Sequence, residues 1–368
     1  MDPRVKKLAK LLIHYSLKLK KGQLFKIQGQ TVALPLMLAA YEEALKIGAH
    51  PYIFTIQPDA EELFFKYAKD DQMKYFSPVT KMEINKIDAL LSIWGSSNTK
   101  HLSGVDSKKQ AKSYMYRKPL MEKLFKRIGN KELSWVGTQF PTHADAQDAE
   151  MSLSDYEDFV YGAGHLNDKD PLKHWKKVEK EQARLIKILN RTKNIHIESP
   201  NADLTMSVKG RKWINCAGTE NFPDGEIFTG PIENSAEGFI RYTYPAVYGG
   251  REVEDVRLEF RKGKVVKETA SKNQKYLTDM LNMDKGARFI GEFAIGTNYD
   301  IKRFSRNTLF DEKIGGTIHM ALGNGYPETG SVNKSAVHWD MICEMRDGGK
   351  IWVDDELFYD SGRFLILD

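Results

Sequence analysis

The stretch GGTIHMALGNGYPETGSVNKSAVHWDMIC, residues 315–343, contains two apolar runs that predict strands and a turn-rich loop that joins them. His338 and Asp340 stand two residues apart in the second run, so both side chains project from the same face of a strand. His319 lies in the first run, between two apolar residues. Zinc and related divalent ions take imidazole nitrogen and carboxylate oxygen as ligands, so this pattern favours a metal site.

An H-x-D pair has an ordinary interpretation as well, because most strand histidines are hydrogen-bonded structural residues. Two carboxylates in the same half of the chain strengthen the metal hypothesis. Glu292 lies in the apolar run FIGEFAIG, where a carboxylate is costly unless a metal ion or a basic residue compensates it. Glu226 opens the run EIFTGP after a turn, and its alternative is a solvated position at the turn edge.

Together these residues form a mixed carboxylate–imidazole set: Glu226, Glu292, His319, His338 and Asp340. Such a set suits two adjacent divalent ions that share a bridging carboxylate, as in two-metal hydrolases. Glu312, in FDEKIGG before the His319 run, would add another oxygen ligand, and its alternative is an exposed loop carboxylate. Tyr326, in GNGYPETG, would hydrogen-bond an oxyanion, and its alternative is a half-buried loop tyrosine.

The N-terminal half alternates between helical and strand patterns, which favours an α/β fold with a helix-flanked parallel sheet. The first helix is predicted over residues 3–20, and two short helices are predicted within residues 142–164. The second of these would be capped by Ser152 or by Ser154, the latter in a capping box with Glu157. No glycine-rich nucleotide-binding motif follows the first strand.

A long, charged helix over residues 170–192 is interpreted as a connector, which gives an N-terminal domain of residues 1–192 and a catalytic domain of residues 193–368. Beyond it the pattern changes to short strands separated by glycine turns. A mostly antiparallel, barrel-like C-terminal domain is therefore predicted.

Composition narrows the class of protein. The 55 basic and 50 acidic side chains are interspersed and leave a net charge of +5, so no nucleic-acid partner is expected. No run approaches the ~18 apolar residues of a membrane span, and the N-terminus lacks the apolar core of a signal peptide. A cytoplasmic protein is expected, with Cys216 and Cys343 as buried free thiols.

Several motifs, in order along nearly the whole chain, resemble those of the thermophilic aminopeptidase family, the metallopeptidases that include aminopeptidases T, S and II. The motifs are YSLKLKKGQ, PTHADAQDAEMSLSDYEDFVY, NFPDGEIFTGPIENSAEGFIRY, GEFAIG, EKIGGTIHMALGNGYPETG and HWDMI. The resemblance implies a cytosolic enzyme that removes N-terminal residues from peptides. It also implies a homodimer and two divalent ions (Zn, Co, Mn or Mg) as cofactors.

The resemblance further implies a role for each matching residue. The family's metal carboxylates fall on Glu226 and Glu292, and its histidines fall on His319 and His338. Asp340 completes the second histidine motif, Tyr326 matches the active-site tyrosine, and Glu312 is carried over as a further metal ligand. Glu292 or Glu226 would also move a proton to the leaving amine.

Three alternatives remain at this point. A phosphoesterase would use a similar ligand set with basic residues as phosphate clamps, for which Arg241 and Arg251 are available. A nucleic-acid-binding protein would use the basic N-terminal helix. A structural oligomer would hold a metal that is closed to water and serves stability alone.

Overall fold

The structure, a computed structural model, describes residues 2–366. The chain forms two compact units, Met1–Leu172 with Gly218–Phe222, and Lys173–Ala217 with Pro223–Asp368. The helix interpreted as a connector spans Pro171–Leu189, so nearly all of it belongs to the second unit. The boundary of independently folding domains near Lys193 stays a prediction.

The helices of the described residues are, in chain order, α1 (Pro3–Leu11), α2 (Leu34–Lys46), α3 (Pro58–Tyr67), α4 (Asp70–Lys74), α5 (Pro78–Lys86), α6 (Ser107–Gly129), α7 (His143–Asp148), α8 (Leu153–Ala163), α9 (Pro171–Leu189), α10 (Gln274–Leu281) and α11 (Thr308–Asp311).

The strands are β1 (Leu24–Gln30), β2 (His50–Ile56), β3 (Ala89–Trp94), β4 (Ser134–Gln139), β5 (Asn194–Ser199), β6 (Ala202–Ser207), β7 (Ile214–Cys216), β8 (Asn221–Phe222), β9 (Glu226–Thr229), β10 (Glu237–Arg241), β11 (Ala246–Tyr248), β12 (Arg251–Val253), β13 (Arg257–Arg261), β14 (Lys264–Thr269), β15 (Ile290–Gly296), β16 (Thr317–Gly323), β17 (His338–Glu344), β18 (Lys350–Val353), β19 (Glu356–Asp360) and β20 (Arg363–Phe364).

The first unit contains a parallel sheet with the strand order β2-β1-β3-β4-β8. The predicted α/β fold of this half is therefore confirmed. The helix predicted over residues 3–20 was too long, because α1 ends at Leu11 and continues only as a π-helical turn, Leu12–Ser16. Lys18 then adopts a φ of 49°, which lies in the left-handed region and cannot continue a right-handed helix.

The cap of α8 resolves one open choice. The side-chain oxygen of Ser152 accepts a hydrogen bond from the backbone N–H of Asp155 at 3.1 Å, so Ser152 is the N-cap. The capping box from Ser154 to Glu157 was wrong, because Ser154 already lies inside the helix. An N-cap side chain bonds the third residue of the helix, and Ser152 rather than Ser154 stands at that spacing.

The second unit contains antiparallel sheets, as predicted for the C-terminal half. One has eight strands in the order β14-β13-β10-β6-β5-β18-β19-β20, one pairs β11 with β12, and one has the order β17-β16-β15-β9-β7. The closed barrel was wrong for the described residues, because each larger sheet ends in two edge strands. Cys343 is a buried free thiol, as predicted, whereas Cys216 is only partly buried.

Alternation gives the β17-β16-β15-β9-β7 sheet two chemically different faces. On one face lie apolar side chains of the core, among them Phe293, Ile318, Met320, Trp339 and Met341. Every residue of β15 and β16 is buried, so the residues that point to the other face are enclosed as well. This second face carries the candidate site.

None of the helices within residues 2–366 is long and apolar enough to span a bilayer.

Candidate metal centre

The register of one sheet brings five predicted site residues to one face. Glu292 pairs with Ala321, which pairs with Asp340, and His338 pairs with Gly323. His319 stands two residues before Ala321, so it shares that face. Glu226 pairs with Gly296, which lies four residues after Glu292 and thus also on that side. Four neighbouring strands therefore supply one carboxylate–imidazole cluster.

Glu292 lies in the middle of this cluster. Its Oε2 atom is 3.2 Å from Nε2 of His338, and its Oε1 atom is 3.8 Å from Nε2 of His319. Glu226 approaches His319 from the other side, with Oε2 at 3.4 Å from Nε2. Asp340 approaches His338, with Oδ1 at 3.7 Å from Nε2. One carboxylate thus connects two imidazole–carboxylate pairs, which is the arrangement that a bridging ligand requires.

The cluster fits a divalent cation. Ligand atoms of Glu292, His319 and Asp340 all lie within 4.8 Å of one another. Oε2 of Glu226, Nδ1 of His319 and Oδ1 of Asp340 are buried and, among the described residues, have no hydrogen-bond partner. Buried polar atoms almost always have a partner, so Oε2 of Glu226 and Oδ1 of Asp340 have lone pairs available to a cation. Oxygen and imidazole nitrogen donors suit zinc, cobalt and manganese.

The electrostatics point the same way. Burial alone would lower the pKa of both imidazoles, but the surrounding carboxylates raise the pKa of His319 to about 9 and that of His338 to about 10. Burial raises the pKa of Glu226 as well, and the ammonium of Lys313 opposes that rise. With no ion bound, protons supply the positive charge that the carboxylates need. A metal ion must displace these protons in order to bind.

Backbone contacts orient two of the ligands. Nδ1 of His338 donates to the carbonyl oxygen of Asn324 at 2.8 Å, which directs Nε2 into the cluster. Gln182 of α9 is buried, and its Nε2 atom donates to the carbonyl oxygens of Glu226, at 2.6 Å, and of Cys216, at 2.9 Å. Gln182 therefore fixes the ends of β7 and β9, where Glu226 begins its strand.

Tyr326 lies at the edge of the cluster. Its hydroxyl oxygen is 3.5 Å from Nε2 of His338, and its ring packs on Phe228 with centroids 5.1 Å apart. The side chain is 36% exposed, so it is reachable from solvent. Burial of the hydroxyl and the nearby carboxylates, Glu292 first, hold its pKa well above 10, so the phenol keeps its proton.

The structure places Glu312 beside Lys313 rather than within the ligand cluster. Glu312 caps α11, and its Oε1 atom forms an ion pair with Nζ of Lys313. Nζ of Lys313 also lies 3.5 Å from Oε1 of Glu226. Sequence reasoning missed Lys313, because a lysine that follows a glutamate resembles an ordinary surface residue. Only its position between two site carboxylates in the chain fold identifies it.

The basic residues considered as phosphate clamps have other partners. Arg241 forms an ion pair with Asp255, and the Arg251 guanidinium lies over the ring of Tyr276, 5.0 Å from its centroid. Both are exposed. These contacts give no support to a phosphoesterase.

The chain is similar to known proteins along most of its length. The family model for thermophilic metalloprotease (M29) matches residues 1–364. Aminopeptidase 2 from Geobacillus stearothermophilus is 26% identical, over 94% of this chain and 93% of its own length. Aminopeptidase T from Thermus thermophilus is 26% identical, over 88% of this chain and 85% of its own length.

The fold is shared with a solved structure. Wild-type AmpT from Thermus thermophilus superposes with a TM-score of 0.86, at 22% identity, over 98% of this chain and 99% of that one. The match of the family model to residues 1–364 confirms the family recognised from the motifs, and with it the assignment of the chain to the metal-dependent hydrolases of peptide bonds. This chain belongs to the thermophilic metalloprotease family M29.

Proposed function

We propose that this chain is an aminopeptidase that removes N-terminal residues from peptides with the help of two divalent ions. The observation that carries the proposal is the convergence of two imidazoles and three carboxylates on one sheet face, with Glu292 between the two pairs. Two relatives, from Geobacillus stearothermophilus and Thermus thermophilus, are named aminopeptidases, which supports the substrate class.

Five residues would hold the ions: Glu226, Glu292, His319, His338 and Asp340. Glu292, which faces both imidazoles, would be the central ligand, and Glu312 is a less direct candidate because it pairs with Lys313. Ions in such a site polarise a scissile carbonyl and lower the pKa of water towards neutrality. Zn, Co, Mn and Mg are the candidates, since this ligand chemistry admits several metals.

The protein's own groups then move a proton and stabilise charge. A carboxylate oxygen of Glu292 or Glu226 that is not bound to an ion would accept the proton of the attacking water and pass it to the leaving amine. The phenol of Tyr326, which stays protonated, donates a hydrogen bond to the developing oxyanion. Burial of the carboxylates keeps bulk water away from these charges, so each interaction is stronger than it would be in solution.

A chelation experiment with matched substrates tests the proposal. We expect protein dialysed against a chelator to lose hydrolysis of an aminoacyl p-nitroanilide, and added Zn²⁺, Co²⁺ or Mn²⁺ to restore it. The N-acetylated form of the same substrate should remain uncleaved, because an aminopeptidase needs a free α-amine. Full activity after exhaustive chelation would overturn the metal mechanism, and cleavage of the acetylated substrate would overturn the exopeptidase assignment.

Cytoplasmic location and a homodimeric assembly stay predictions that accompany this function. Sedimentation of the purified protein measures the assembly directly.

A further inference from the structure

We infer that Lys313 is a positioning residue of the metal centre: its ammonium group is a permanent internal cation that holds Glu226 and Glu312 in place for metal binding. The inference depends on the proposed metal site, and it adds to that site a residue that is not itself a ligand.

The first observation is the burial of Lys313. Its side chain has no exposed surface, in contrast to almost all lysines in proteins. A buried ammonium is costly unless charged partners surround it. Glu226 and Glu312 provide those partners. No water or substrate reaches the group, so it acts only through these carboxylates.

The second observation is that the two carboxylate oxygens of Glu226 face different groups. Oε1 faces the ammonium of Lys313 at 3.5 Å. Oε2 is buried without a hydrogen-bond partner and lies 3.4 Å from Nε2 of His319, on the side of the ligand cluster. The ammonium therefore fixes the rotation of the carboxylate and leaves the free oxygen directed at the place where a cation would bind.

The third observation is that a glycine in β15 allows the segment that carries Lys313 to pack closely against the strand. Gly296 is the register partner of Glu226. A Cβ atom on Gly296 would lie 2.2 Å from the carbonyl oxygen of Ile314 and 3.1 Å from the carbonyl carbon of Lys313. Only a glycine lets the Lys313–Ile314 segment lie this close to β15. The glycine at position 296 of β15 thus allows the close packing that places the ammonium of Lys313 beside Glu226.

A loop anchor holds the same segment from its other end. Asp311 is buried, and its Oδ1 atom accepts hydrogen bonds from the backbone N–H of Ser305 at 2.7 Å and from its hydroxyl at 2.8 Å. The end of α11 is therefore fixed two residues before Lys313. The lysine has little freedom to leave its two carboxylates.

The charge balance explains why a fixed cation is useful here. Three carboxylates of the ligand cluster and Glu312 lie in one enclosed region, and Asp224 acts electrostatically on both Glu226 and Lys313. Like charges at such distances repel strongly in a low-dielectric interior. The ammonium offsets part of this repulsion whether or not a metal is bound. The carboxylates therefore keep their positions in the metal-free protein.

The test uses full-length Lys313→Met, which keeps the length of the side chain and removes its charge, with Lys302→Met at an exposed position of the same unit as control. Each protein is titrated with Co²⁺ alone after chelation. We expect Lys313→Met to bind Co²⁺ about ten- to hundredfold more weakly, as for other residues that orient metal ligands. Its metal-free melting temperature should fall by on the order of 10 °C, because a buried ion pair is broken. Lys302→Met should match the wild type.

The double variant Glu226→Gln/Lys313→Met separates a charge effect from a packing effect. If the ammonium acts by neutralising Glu226, removing both charges should recover at least about half of the lost melting temperature, whereas Co²⁺ affinity should stay low because a ligand is gone. A double variant no more stable than Lys313→Met would contradict the inference. If Lys313→Met alone fails to give folded protein, the other variants decide. A folded Glu226→Gln/Lys313→Met variant supports the inference. An unfolded double variant contradicts it, provided that Glu226→Gln alone folds.

Unchanged Co²⁺ affinity and visible absorption of the bound Co²⁺ in Lys313→Met would also contradict the inference. Failure of the metal site itself is distinguishable, because the wild-type protein would then bind no Co²⁺ with these ligands in the first place.

Discussion

Nδ1 of His338 donates a hydrogen bond to the main-chain carbonyl oxygen of Asn324, at 2.8 Å. A carbonyl only accepts, so this contact fixes the proton on Nδ1 and directs Nε2 at Glu292, 3.2 Å away. The ring is thus prepared as a ligand before any ion arrives.

The replacement His338→Ala should therefore abolish metal binding and hydrolysis together. We expect Co²⁺ or Zn²⁺ affinity to fall by more than about a hundredfold, since loss of a ligand exceeds the cost of losing an outer partner. His196→Ala is the matched control, because His196 lies on β5 and pairs with Asp203 away from the site. Isothermal titration measures the affinity. Retained metal affinity in His338→Ala would show that this histidine is not a ligand.

Tyr326→Phe should separate catalysis from metal binding. The phenol donates to the oxyanion in the proposed mechanism, and removal of one such donor lowers kcat by about 10²–10³-fold. Metal content should stay at the wild-type value, because the nearest ligand contact of the hydroxyl is long, at 3.5 Å from Nε2 of His338. Metal analysis and kcat on the same preparation decide the matter, and parallel loss of both would contradict the assigned role.

The stability of the metal-free protein should fall as the pH rises. His319 and His338 have folded-state pKa values of about 9 and about 10, above their usual 6.5, so their charged forms stabilise the fold fully below pH 6.5. That contribution is lost as the pH rises through 9 to 10. The melting temperature of chelated protein should decrease over this range, and a flat profile would argue against imidazolium ions in the metal-free site.

Metal binding should release protons over the same range. At pH 7.5 the two imidazoles are protonated in the free site, so an ion must displace their protons. Affinity for Mn²⁺ should rise between pH 6.5 and 8.5. Titrations in buffers of different ionisation enthalpy count the released protons, and zero release at pH 7.5 would be the contrary result.

Gln182→Leu should weaken the site from a distance. The side-chain amide of Gln182 is the donor to the carbonyl oxygens of Glu226 and Cys216, and its loss removes both hydrogen bonds. We expect a cost of about 1–3 kcal/mol in unfolding free energy. Metal affinity should fall by about tenfold, because Glu226 is less firmly placed. Chemical denaturation measures the unfolding free energy, and metal titration measures the affinity. If neither changes in Gln182→Leu, Gln182 does not position Glu226.

The candidate ligands could be named from local sequence clues, and their role as metal ligands stays a prediction. The spacing of His338 and Asp340 fixed a shared strand face, and Glu292 stood out as a carboxylate within an apolar run. Their convergence depends on strand register, which the pattern alone does not give, and the structure supplied it through pairs such as Glu292 with Ala321.

Other features lay beyond local patterns. Lys313 is recognisable only from its contact with Glu226, a carboxylate that is distant in the chain. The two-residue strand β8 pairs in parallel with β4, which lies about eighty residues earlier in the chain. A strand this short has no hydrophobic periodicity from which the pairing could be predicted. The short helices α4, α5 and α11 carry too few turns for a clear periodic signal.

Anomalous diffraction from crystals of the metal-loaded protein tests the central claim most directly. We predict two ions between β9 and β17, bound by Glu226, Glu292, His319, His338 and Asp340, with Glu292 in contact with both. Ions bound elsewhere in the molecule, or these five side chains each hydrogen-bonded to a separate protein partner, would contradict it.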